Sequence, residues 1–211
     1  MKVLGILPIK KHVIQFFIGF LFIVVLSVLW IYIETLVKSV IWEQKPIDYR
    51  LIYKALMYHL KSALTEDLVF RGAILYILIN RLGAKWAIFI SASFFGVYHV
   101  FSYGITGGAI IPILYVITVT GFAGYVWACV FEKTKSIALG LGLHLGINLV
   151  RVCFYPSQPY GELLVKEISK VNFSEWNELY FVLIKGLFPS VVTLIFLKLL
   201  LKSYFKFFKN N

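Results

Sequence analysis

Three short clusters of polar side chains interrupt apolar stretches of this sequence, and their residue types could do acid–base chemistry. A carboxylate can take a proton from water, an imidazole can accept or donate one, and an amide can donate hydrogen bonds. Groups of these types are suited to one polar site if the fold brings them together. The clusters are Glu66, Asp67 and Arg71; Phe95 and His99; and His144 and Asn148.

The first cluster places three charged side chains within six consecutive residues of an apolar stretch. Each such charge costs about 2.5–3.5 kcal/mol at the centre of a bilayer, so these groups must have polar partners. Asp67 and Arg71 are four residues apart on a helix, and this spacing predicts an ion pair. Glu66 lies about 100° around the helix from Asp67, so its carboxylate is free to face another group.

The other two clusters each place two groups one helical turn apart. Phe95 and His99 have this spacing, as do His144 and Asn148, so each pair shares one side of its helix. Three packed helices could therefore bring Glu66, His99, His144 and Asn148 to one polar site. A lone histidine in a membrane helix often only bonds a neighbouring helix, and this is the interpretation we give to His59.

Composition identifies the environment in which these clusters lie. Of the 211 residues, 60% are hydrophobic and 15% are charged, and the mean hydropathy is +0.85. Soluble domains average about 45–50% hydrophobic residues and about 25% charged residues. The sequence therefore predicts an integral membrane protein with the lipid bilayer as its partner. The net charge of +11 comes from dispersed basic residues, which argues against a nucleic-acid partner.

Apolar stretches long enough to cross the bilayer, about 20 residues each, predict an all-α, polytopic membrane helix bundle. We expect one domain over residues 1–211, with a motif-bearing core at 57–155, and an interfacial segment at 34–54. Residues 86–131 contain no Asp, Glu, Lys or Arg and should form two spans joined by a turn at 102–108. Six spans are expected in total: 13–33, 57–79, two within 86–131, 136–155 and 179–201.

The distribution of Lys and Arg outside these spans predicts a multi-pass protein of the cell membrane with both termini in the cytoplasm. Ten basic residues fall on the side of the termini and six on the opposite side. The ten are Lys2, Lys10, Lys11, Arg81, Lys85, Lys133, Lys135, Lys202, Lys206 and Lys209. The six are Lys38, Lys45, Arg50, Lys54, Lys166 and Lys170.

The order and spacing of the three clusters resemble the motifs of the CAAX prenyl protease and bacteriocin-processing (CPBP, or Abi) family of intramembrane proteases. The resemblance covers roughly residues 64–149. One departure is that Asp67 stands where the family commonly has a second glutamate. The resemblance implies that Asp67 and Arg71 hold the helix in register and that Phe95 packs beside His99.

The resemblance also implies an activity, the hydrolysis of a peptide bond in a membrane-associated protein or peptide. Glu66 and His99 would activate water, and His144 and Asn148 would bind the oxyanion. No cofactor is expected. A metal-dependent alternative would use Glu66, His99 and His144 as zinc ligands, but it would leave no obvious general base.

Two readings from other functional classes remain open. The same fold could serve as a non-catalytic membrane immunity or binding protein, since related bacterial chains are implicated in protection from bacteriocins. Intramembrane carboxylates and histidines also serve ion pathways. The sequence lacks an inverted repeat or a pair of broken helices typical of transporters, so we favour the protease.

Overall fold

The computed structural model describes residues 8–156 and 159–209, without the side chains of residues 200–209. Within these residues the chain forms seven helices and two short strands. The helical membrane architecture confirms the predicted fold class. The elements are α1 (Ile9–Lys38), β1 (Ile41–Gln44), α2 (Tyr49–Phe70), α3 (Ala73–Leu82), α4 (Ala84–Ser102), α5 (Ile110–Thr134), α6 (Ala138–Phe154), β2 (Val165–Ser169) and α7 (Glu175–Lys209).

The six predicted spans correspond to helical segments that differ in length and apolar character. Four helices in the described part of the chain are long and apolar enough to cross a membrane: α1, α4, α5 and residues Glu175–Leu199 of α7. The turn expected near 102–108 does separate α4 from α5. Helix α6 is also apolar but, with 17 residues, is shorter than these four helices. Helix α2 is long enough, but it carries more charged residues than any of the four segments that meet both criteria.

The span expected over 57–79 is not one continuous helix, because α2 ends at Phe70 and α3 begins at Ala73. Arg71 and Gly72 leave helical geometry, with ψ angles of 0° and −124°. The carbonyl of Phe70 accepts a hydrogen bond of 2.6 Å from the Ser91 hydroxyl of α4, which satisfies an acceptor at the end of the helix. The first polar cluster therefore lies at a helix end that α4 supports.

Helices α1 and α6 pack in parallel, with glycine on the α6 side of the contact. A Cβ atom at Gly142 would lie 2.1 Å from the backbone oxygen of Phe16, and one at Gly146 would lie 2.4 Å from the Ile23 side chain. Glycine is required at both positions because the helix backbones approach so closely. The contact fixes the helix that carries His144.

The ends of the helices near the site are tied together by polar contacts that the sequence did not predict. Strand β1, in the segment expected to be interfacial, forms an antiparallel pair with β2. Lys185 of α7 bonds both carboxylate oxygens of Glu34 in α1 at 2.7 and 2.8 Å. The Tyr155 hydroxyl also donates to Glu34, and burial together with this bond raises the pKa of Tyr155.

Candidate active site

The Glu66 carboxylate lies between two imidazoles from different helices. Its Oε2 atom is 3.7 Å from Nε2 of His99 in α4 and 3.7 Å from Nε2 of His144 in α6. These distances are too long for direct hydrogen bonds. Oε2 is buried and has no hydrogen-bond partner in the part of the chain that the structure describes, while Oε1 accepts a bond of 2.9 Å from Ser62.

Asp67 joins the predicted ion pair to the imidazole of His144. Its Oδ1 atom is 2.8 Å from Nη1 of Arg71 and 3.4 Å from Nδ1 of His144. Asp67 and Arg71 are 1% and 2% exposed, so the pair is shielded from water. Because the carboxylate lies beside Nδ1, it directs the opposite ring atom, Nε2, towards Glu66, as a carboxylate does for catalytic or metal-binding histidines.

Phe95 supports two of the charged groups. Its backbone oxygen is 2.8 Å from Nδ1 of His99, and its ring lies 4.3 Å from the His99 ring in an edge-on arrangement. The guanidinium carbon of Arg71 lies 3.7 Å from the centroid of the same ring. Phe95 therefore fixes the orientation of His99 and gives Arg71 a cation–π contact.

The bond to Phe95 determines how the His99 ring can act. A carbonyl oxygen can only accept a hydrogen bond, so Nδ1 must carry the hydrogen, and Nε2 of the neutral ring presents a lone pair. Two acceptors, Nε2 and Glu66 Oε2, then face each other at 3.7 Å. A water molecule that donates one hydrogen to each would satisfy both acceptors and leave its own lone pairs free for attack.

Asn148 and the imidazoles of His99 and His144 lie where two cavities meet. The first, the polar cavity, has a volume of about 930 Å³ and is lined by Glu34, Ser62, Glu66 and Arg151 among other residues. The second, the apolar cavity, has a volume of about 130 Å³, and Ile23, Phe95 and Trp127 are among its lining residues. The side chains that line both cavities are His99, Tyr103, Tyr115, His144, Asn148, Arg151, Tyr155 and Lys185. A polypeptide in the polar cavity could therefore reach Glu66.

The structure also tests whether Glu66, His99 and His144 fit a metal ion. Zinc ligands lie about 2.0–2.2 Å from the ion in a compact tetrahedral arrangement. Among the residues whose positions are described, no group of three or more His, Cys, Asp or Glu side chains is placed to hold a metal ion. In the positions they occupy, Glu66, His99 and His144 therefore do not form a metal site.

The structure brings together all seven residues singled out in the sequence and adds three that were missed or undervalued. Ser62 bonds Glu66, and its position four residues earlier on α2 was the available signal. Trp127 stacks on His144 with ring centroids 4.5 Å apart, a contact between helices with no local signal. His59 was interpreted as a packing residue, yet it lines the polar cavity.

Comparison with known proteins supports the family resemblance. Residues 49–150 match the family described as Rce1-like, type II CAAX prenyl endopeptidase Rce1-like. The matched segment, just under half of the chain, begins with α2 and includes all three polar clusters. The match confirms the resemblance drawn from the motifs and indicates a protease. No curated protein and no solved structure matches the chain.

Proposed function

From the premise that this multi-pass membrane protein matches the Rce1-like type II CAAX prenyl endopeptidase family over residues 49–150, we propose that it is an intramembrane endopeptidase. Its substrate is a membrane-associated protein or peptide, in which it hydrolyses a peptide bond. The observation that carries the proposal is the buried Oε2 atom of Glu66, which has no hydrogen-bond partner among the described residues and faces two imidazoles. A water molecule held there is the nucleophile.

In the first step, Glu66 and His99 activate this water. Its hydrogens bond Oε2 of Glu66 and Nε2 of His99, so its oxygen is directed towards the substrate carbonyl. As the new C–O bond forms, Glu66 takes one proton from the water. The bond from Ser62 to Oε1 and the carbonyl of Phe95 at Nδ1 of His99 hold the two groups in position.

In the second step, His144 and Asn148 stabilise the tetrahedral oxyanion and the C–N bond breaks. The Asn148 amide donates a hydrogen bond to the oxyanion, and His144 donates from Nε2 when its ring carries both hydrogens. The Asp67 carboxylate beside Nδ1 accepts a hydrogen bond from the second hydrogen of that ring. Collapse of the intermediate releases the amine, which takes the proton held by Glu66, and a carboxylic acid forms from the carbonyl.

We further propose that the protein lies in the cell membrane with both termini in the cytoplasm. Among the side chains that the structure describes, the basic residues divide evenly, because Lys2, Lys202, Lys206 and Lys209 lie outside that set. The predicted excess of Lys and Arg on the cytoplasmic side therefore depends on these four lysines. In this orientation the polar cavity opens away from the cytoplasm.

The proposal is tested by comparing purified wild type with Glu66→Gln on a library of peptides in detergent micelles. The amide cannot take the water proton, so cleavage should fall to background. Glu162→Gln serves as the matched control, because Glu162 also lines the polar cavity but contacts neither imidazole. Mass spectrometry identifies the bond that is cut, and a parallel series contains a strong chelator.

Equal cleavage by wild type and Glu66→Gln would contradict the proposal. Loss of all cleavage in the chelator, restored by added zinc, would contradict the metal-free mechanism while leaving the protease. If no peptide or membrane-anchored substrate is cut, but Glu66→Gln still protects cells from a bacteriocin as wild type does, the protein acts as a non-catalytic immunity protein.

A further inference from the structure

A third histidine lies in the polar cavity and has no role in the mechanism above. His59 of α2 lines the cavity together with Glu66, His99 and His144 and is 7% exposed. Its Nε2 atom is buried and makes no hydrogen bond within the described ranges 8–156 and 159–209. The ring has an edge-on contact with Tyr58, with centroids 5.2 Å apart.

A buried ring nitrogen without a partner destabilises the folded protein, because its hydration is lost and not replaced. A leucine would fill similar space without this penalty, so packing alone does not account for an imidazole here. An atom of this kind indicates that its partner arrives with a ligand. The ligand that enters this cavity, on the proposed function, is the polypeptide substrate.

The position of His59 along α2 indicates which part of the substrate it meets. His59 precedes Glu66 by seven residues, two helical turns, which corresponds to about 10 Å along the axis. It is nearer than Glu66 to the start of α2, and Glu167 of β2 lines the same cavity. An extended polypeptide advances about 3.3 Å per residue, so about three substrate residues separate His59 from the bond at Glu66.

We propose that His59 is a substrate-binding residue, which hydrogen-bonds the backbone of an extended substrate about three residues from the cleaved bond, on the side nearer the start of α2. This inference rests on the proposed function, because it assigns a subsite to the same active site. His59 contributes to recognition, and substrates that end closer to the cleaved bond do not use it.

The test combines stability with kinetics in three variants of the full chain. His59→Leu removes the hydrogen-bonding atom, and His59→Gln keeps an amide near the position of Nε2. His12→Leu is the matched control, since His12 is also buried but bonds Gln15 in α1, away from both cavities. The unfolding midpoint, kcat and KM are measured for each variant.

We expect His59→Leu to unfold at a higher temperature than wild type while kcat/KM falls about tenfold through KM, the loss typical of one hydrogen bond to a ligand. His59→Gln should recover most of kcat/KM, and His12→Leu should retain the wild-type value. The peptide substrate is also shortened stepwise, from its N-terminus in one series and from its C-terminus in the other. In the series that removes the residue bound by His59, the tenfold difference in kcat/KM between wild type and His59→Leu should vanish. This should happen once fewer than about three residues remain on that side of the cleaved bond.

Two outcomes would overturn this inference. One is a lower unfolding midpoint for His59→Leu, which would make His59 a structural residue. The other is equal affinity of Glu66→Gln and Glu66→Gln/His59→Leu for an uncleaved peptide. Neither measurement requires the protein to cleave the peptide, so both test His59 separately from the proposed activity. Failure of the proposed activity would instead appear as equal cleavage by wild type and Glu66→Gln.

Discussion

Replacing Arg71 by leucine removes one half of the buried ion pair that holds the end of α2. Nη1 of Arg71 lies 2.8 Å from Asp67, and the two side chains are 3% and 2% exposed. The substitution leaves the Asp67 carboxylate in the bundle, with the His144 imidazole at 3.4 Å. Breaking a buried pair in this way costs about 3–5 kcal/mol of unfolding free energy. We expect a loss of this size for Arg71→Leu and for Asp67→Leu.

The double variant Asp67→Leu/Arg71→Leu separates the cost of an unpaired charge from the value of the pair. With both charges gone, apolar side chains of similar volume are often neutral or even stabilising. The double variant should therefore be more stable than either single variant. Its hydrolysis rate should stay low, because His144 has lost the carboxylate beside Nδ1.

The assay is reversible unfolding in mixed detergent micelles, paired with the rate of peptide hydrolysis for the same samples. Lys135→Leu is the control, because its pair with Glu132 spans 3.5 Å and the lysine is 68% exposed; it should change the unfolding free energy by less than about 1 kcal/mol. The reasoning is refuted if the losses of the two single variants simply add in the double variant. Full activity of that variant would refute the role given to Asp67.

Three further predictions follow from the site, the packing and the orientation. Asn148→Ala should lower kcat by about 10²–10³ with little change in KM, the effect of losing one oxyanion donor, and an unchanged kcat would remove Asn148 from that role. Gly142→Ala should lower the unfolding free energy by about 1–3 kcal/mol, since the added Cβ would meet the backbone oxygen of Phe16 at 2.1 Å; unchanged stability would contradict the close contact. The orientation can be tested in a variant without the native cysteines, with a thiol reagent that does not cross the membrane. The reagent should label Ser102→Cys in intact cells, because this position faces away from the cytoplasm, but should label Lys85→Cys only after permeabilisation. The reverse pattern would show that the orientation is inverted.

The local arrangement of the polar clusters was predictable because helical periodicity acts within a few residues. Asp67 and Arg71 form the ion pair that their spacing indicates, and Glu66 faces other groups, as its position around the helix requires. The apolar composition fixed the membrane class, since so much hydrophobic surface needs lipid. Each of these conclusions depends on residues one turn apart or on the average of the whole chain.

Contacts between helices decided the rest. The sequence could nominate His99 and His144, but the packing of α2, α4 and α6 places each 3.7 Å from Oε2 of Glu66. The same packing ends α2 at Phe70, where hydropathy predicted a continuous span, because Ser91 of α4 bonds the terminal carbonyl. The fold also pairs Lys185 of α7 with Glu34 of α1, two residues that lie far apart in the sequence.

The sequence by itself therefore determined a helical membrane protein with three polar clusters whose residue types suit peptide hydrolysis. The tertiary structure alone decided which atoms of those clusters meet, that Asp67 contacts His144, and that His59 lies in the same cavity as Glu66. The physical reason is the distance along the chain over which each kind of interaction acts. Backbone periodicity sets neighbours within a turn, whereas a site shared by three helices depends on tertiary packing, including the close contact of α6 with α1 at Gly142 and Gly146.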